Sequence, residues 1–134
     1  MSATFSTDSQ MISSGVTIPT TTETAGPTTN PLRGPFGTCK GVVRGTALIS
    51  TGTGVTGVQV RVRRNQSGEN VVLNPLVQTV GAAASATIAV PFEFTDAVPD
   101  GRDLTYQLTV QQVGATGNGS ILAGTTITAQ IISG

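Results

Sequence analysis

Three features of this sequence predict an all-β fold, an antiparallel β-sandwich or jelly roll with an extended N-terminal arm. Apolar and polar residues alternate through residues 55–65, 84–95 and 103–113, and a period of two is the mark of a strand buried on one face. Clusters of Gly, Pro, Asn and Asp separate these runs into strands of about 8–12 residues, the texture of sandwiches and jelly rolls. The first 38 residues differ in kind: they hold 10 Thr, 5 Ser and 4 of the 7 Pro, with Asp8, Glu23 and Arg33 as their only charges. No stretch has helical periodicity.

Residues 1–38 therefore read as a low-complexity arm, because such a segment buries little apolar surface of its own. Pro19, Pro27, Pro31 and Pro35 keep it extended, and it could reach on the order of 120 Å. Its apolar residues, Phe5, Met11, Ile12, Val16, Ile18, Leu32 and Phe36, are the expected contacts to neighbouring subunits. Residues 10–18 could add a strand to a partner's sheet edge. The remainder, 39–134, is the expected β-sandwich domain.

Within that domain the strands follow in order. Lys40 to Thr51 is the first, weakened by Gly41 and Gly45. Val55 to Asn65 places Val58, Val60 and Val62 on one face and Gln59, Arg61 and Arg63 on the other. Glu69–Leu73 and Leu76–Val80 flank Asn74-Pro75. In Ala84 to Thr95, Ile88, Val90, Phe92 and Phe94 share one face, and Pro91 demands a sheet edge or a bulge. Residues 96–101 (DAVPDG) are a strong turn signal. Asp103 to Val113 sets Leu104, Tyr106, Leu108 and Val110 against Thr105, Gln107, Thr109 and Gln111. Residues 114–120 (GATGNGS) read as a hairpin loop, and Ile121 to Ser133 closes the chain.

Composition excludes several functions. Net charge is zero and charged residues are 10%, against a usual figure of about 25%. Such a surface suits one covered by its own copies or by other subunits. No Lys/Arg run exists to neutralise phosphates, so nucleic acid is not an expected partner. No apolar stretch approaches the roughly 20 residues of a membrane span. The first ten residues lack the basic and apolar regions of a secretory signal. A domain of about 95 residues buries only roughly 60–65% of its unfolded surface, so oligomerisation would help it.

The chemical inventory is small. There is no His, which removes the commonest general base and metal ligand and any Ser/His/Asp or Cys/His constellation. Cys39 is the single cysteine and reads as a small buried hydrophobe. Glu93, Asp96, Asp100 and Asp103 cluster around one turn and could be read as Ca²⁺ ligands or an acid/base pair; Asp is also an ordinary turn residue. Arg61 and Arg63 lie on one strand face as a candidate subunit contact, against the plainer reading of cross-strand ion pairs. Asn65-Gln66-Ser67 and Asn118-Gly119-Ser120 match the glycosylation pattern in turns that generate it readily. No catalytic residue, metal site or cofactor is expected.

The segments GVQVRVRRN at 57–65 and VPDGRDLTYQLTVQQVGATGNGS at 98–120, behind a Thr/Pro-rich arm, resemble capsid decoration (cement) and minor capsid proteins of tailed bacteriophages. The resemblance covers about a quarter of the chain. It implies a jelly-roll-like virion structural protein, made in the host cytoplasm, that forms a homo-oligomer, a trimer, on major capsid or other virion proteins. It carries over no functional residue, and the lack of an Arg-rich arm departs from jelly-roll coat proteins that package their own genome. A receptor- or glycan-binding β-domain of a fibre, spike or adhesin is the alternative reading, and a tail or connector subunit the third. An enzyme is the least expected class.

Overall fold

The computed structural model describes residues 4–34, 38–66, 69–72, 78–98 and 103–133. Eleven strands run in chain order: β1 (Thr4–Met11), β2 (Val16–Ile18), β3 (Thr24–Thr28), β4 (Cys39–Ser50), β5 (Gly57–Gln66), β6 (Glu69–Val72), β7 (Gln78–Gly81), β8 (Thr87–Val98), β9 (Leu104–Val113), β10 (Gly119–Ile121) and β11 (Thr126–Ser133).

They form two antiparallel sheets. The first joins β1 and β2 to β11 and β10, then β4, then β8. The second joins β3 to β9, β5 and the short pair β6 and β7. β1 and β2 keep one register against β11 and β10: Met11 opposes Thr126 and Val16 opposes Ile121. They are one strand, interrupted where residues 12–15 face 122–125. Counted this way, each sheet has four strands, and the chain passes between the sheets as in an eight-stranded jelly roll.

The core lies between the sheets, where the period-two alternation placed it. Val58, Val60 and Val62 of β5 meet Val90, Phe92 and Phe94 of β8 and Ile127, Ala129 and Ile131 of β11 in one cluster with Leu104, Tyr106, Leu108 and Val110 of β9. Pro91 sits in β8, which bonds only to β4 among the described strands, so the donor it lacks faces the sheet edge.

The boundary expected at residue 38 is not where the structure divides. Residues 4–32 supply three strands: β1 pairs β11, β2 pairs β10 and β3 pairs β9. Ile18 is 0% and Leu32 1% exposed, inside the chain's own core. The physical reason is that the long-range ladder satisfies the segment's backbone groups, so a largely polar strand needs few apolar side chains of its own. Residues 114–118 are a second correction. They cross from β9 in one sheet to β10 in the other and close no hairpin. Asp96 to Val98, expected in the turn, continue β8; residues 99–102 lie outside the described residues.

Candidate interaction surfaces and the buried polar cluster

The outer face of the β3-β9-β5 sheet is polar because the odd-numbered residues of β5 and β9 point outward. Arg63 there donates to both oxygens of Glu23, from Nε at 2.6 Å and Nη2 at 2.7 Å. Arg61 donates to Gln111 Oε1 and Gln59 Oε1, each at 2.7 Å, and lies 3.7 Å from Glu23. The hydrogen bond from Arg63 outweighs the opposing effect of burial and holds the Glu23 carboxyl down at about 2. Both arginines are thus committed within the chain, to a carboxylate from the segment read as an arm.

Between the sheets lies a polar cluster that the sequence reading missed. Arg64 of β5 donates from Nη1 to Asp96 Oδ2 of β8 at 2.7 Å. The Tyr106 hydroxyl of β9 donates to the same oxygen at 3.0 Å. Burial, and then the Asp96 carboxylate, push the Tyr106 phenol far above its ordinary range. Gly41 of β4 lies under the ring, and a Cβ there would collide with the Tyr106 hydroxyl and lie 2.9 Å from Cζ. The signal was in the parity: Arg64 and Asp96 sit at inward positions of their alternating strands, and buried charges come paired.

The acidic group around residues 93–103 is dispersed. Glu93 and Asp96 point to opposite faces of β8, one exposed and one buried. Asp103 pairs with Arg33 at 2.9 Å on the surface, and Asp100 lies outside the described residues. Among the described residues no three His, Cys, Asp or Glu side chains group as metal ligands. Cys39 is buried, as expected of a small hydrophobe.

One end of the sandwich is stitched by side chains. Buried Gln112 accepts from Gly52 N–H at 2.7 Å and donates to Thr20 O at 2.8 Å and to Gly117 O at 3.3 Å. It ties together the loops after β2, β4 and β9. Thr51 joins the loop before β8, donating to Ala83 O at 2.7 Å and accepting from Ala86 N–H at 2.9 Å.

The outer face of the other sheet is nearly uncharged. Of the outward-facing residues on its four strands only Lys40, Arg44 and Glu93 are charged, among residues such as Val42, Thr46, Thr95 and Thr128. Phe5, at 47% exposed, and Met11, at 63%, lie on β1 along its edge. Of the residues expected to bind neighbours, these two are open. Ile12 and Val16 are half-buried against the core, Ile18 and Leu32 are inside it, and Phe36 lies outside the described residues.

No protein-family model matches the chain, and no curated protein matches its sequence. Among solved structures it is similar to a part of dimeric latent PorU from Porphyromonas gingivalis, with a TM-score of 0.56 and 10% identity, covering 98% of this chain but 13% of that one. It is also similar to murine APRIL (TM-score 0.45, 13% identity, 90% of this chain and 98% of that one). A third is VP2 of infectious bursal disease virus (TM-score 0.40, 10% identity, 98% of this chain and 39% of that one). The likeness to the PorU segment is one of fold alone, an antiparallel β-domain.

Proposed function

We propose that the chain is a non-enzymatic virion structural protein, a capsid decoration or minor capsid subunit, that assembles through its sheets and not through a detached arm. The outer face of the β1-β11-β4-β8 sheet carries this reading. It is about 40 Å along β4 and β8 and four strands wide, bears three charges, and has its exposed apolar residues at one edge. A surface of this kind carries little charge to repel like subunits and is suited to lie against them or against a shell. The buried polar groups support the same reading, since Arg64, Asp96 and Tyr106 are spent on joining the sheets. The test is quantitative mass spectrometry of virus particles purified from cells that make the chain. Co-purification at a fixed ratio to the shell subunit supports the proposal; absence from intact particles overturns it. The stitched loop end favours the second reading, a glycan- or receptor-binding tip, since Gln112 holds Thr20, Gly52 and Gly117 in fixed positions. Selective retention on a glycan array would move the assignment there.

A further inference from the structure

Four sheet edges exist in this fold, and three carry features that discourage a further strand. β8 has Pro91 in mid-strand. β3 has Pro27 and a register shift between Ala25 and Thr28. The last edge is broken into two four-residue strands, β6 and β7. β1 is different: it is eight residues long, without Pro, Lys or Arg, its one register shift lies at its start, between Thr4 and Ser6, and Ser6 to Met11 pair regularly. Its one charge, Asp8, is turned away from the exposed face, where its Oδ2 accepts from Asn30 N–H at 2.8 Å and Gln10 Nε2 at 3.1 Å. Phe5 and Met11, the exposed large hydrophobics among the described residues, both belong to this strand.

We propose that β1 is the contact for a second copy of this chain, the two strands pairing antiparallel about a two-fold axis at Asp8. Backbone direction sets the parity. Ile12 N–H donates to Thr125 O at 3.2 Å, and Ile12 O accepts from Gly124 N–H at 2.9 Å. From Ser6 to Met11, where the register against β11 is unbroken, even-numbered residues therefore turn their backbone groups toward β11, and Thr7, Ser9 and Met11 turn theirs toward the open edge. A two-fold axis at residue 8 sets Thr7 opposite Ser9 of the second copy and brings Met11 beside the start of the partner strand, where the register shifts and Phe5 lies. The outward-directed backbone groups of Thr7 and Ser9 then meet those of the second copy, and Phe5 and Met11 of the two copies come together at the ends of the pair. The chain's zero net charge leaves no long-range repulsion between copies. The two Asp8 carboxylates oppose this pairing at the axis, and their engagement with Asn30 and Gln10 turns them away from each other. The contact does not depend on the virion reading.

The test is the mass of the full chain across a concentration series, by light scattering or sedimentation equilibrium, for the wild type, Thr7→Pro and Met11→Lys. Thr7→Pro removes an N–H that points to the open edge and leaves the β1–β11 ladder bonded. The wild type is expected to move from 13.5 kDa to twice that mass. Thr7→Pro should stay at the mass of one chain with an unchanged far-ultraviolet circular dichroism spectrum. Met11→Lys should weaken association by about tenfold or more, the loss of one buried apolar side chain per copy. Should Thr7→Pro fail to fold, Met11→Lys alone decides. A wild type that stays single at all concentrations, any other stoichiometry, or variants that associate as well as the wild type would overturn the proposal.

Discussion

Gly41 and Tyr106 show how tightly single residues are specified. The phenol sits where a side chain of β4 would be, so Gly41→Ala must displace the ring and its bond to Asp96. Overpacking of this kind costs about 1–3 kcal/mol, measurable as a lowered urea midpoint. Removing the countercharge is expected to cost more: Arg64→Ala leaves Asp96 buried without its ion partner, a loss of about 3–5 kcal/mol. Glu23 gives the pH dependence. Its carboxyl titrates near 2 in the folded protein against an ordinary 4.5. Its contribution is therefore complete above about 4.5 and declines as pH falls toward about 2. Denaturation of wild type and Glu23→Gln at pH 7 and pH 3 should show the gap between them narrowing at the lower pH.

Among the elements, β1 to β3 decide whether the N-terminal segment is part of the domain. They cover the edges of β11, β10 and β9 and bring Ile18 and Leu32 into the core. Deleting residues 1–33 is expected to leave a chain with no cooperative unfolding transition by circular dichroism. Leu32→Ala should cost about 2–5 kcal/mol, as for any large side chain deleted from a core. A truncated chain that melts cooperatively near the wild-type temperature would restore a separate arm. The strands after residue 39 were largely legible. Leu104, Tyr106, Leu108 and Val110 announce a buried face by alternation alone, and Pro91 announces an edge. β1 was not legible, because its inward positions are Ser6, Asp8 and Gln10. Ser6 and Asp8 accept from Arg33 N–H and Asn30 N–H, bonds that depend on chain folded in from elsewhere.

For the whole molecule, topology sets the folding rate. The first strand pairs with the last, Met11 against Thr126, and β4 and β8 lie far apart in sequence. Such non-local pairing predicts refolding on the order of milliseconds to seconds. Tyr106 fluorescence reports it directly, since Tyr106 is the single tyrosine and there is no tryptophan. If β1 pairs between copies, the melting temperature should also rise with protein concentration, because association stabilises only the folded form.

The sequence by itself determined the all-β class, the inward faces of β5, β8 and β9, and the lack of any His-based chemistry. These are local properties, carried by alternation, by turn residues and by which side chains exist. The tertiary structure alone decided that residues 4–32 complete both sheets, that Arg63 is spent on Glu23, and that Arg64, Asp96 and Tyr106 meet between the layers. Those outcomes join residues tens of positions apart. No local pattern encodes them, because a strand's edge partner is chosen by the backbone groups that the finished sheets would otherwise leave unpaired.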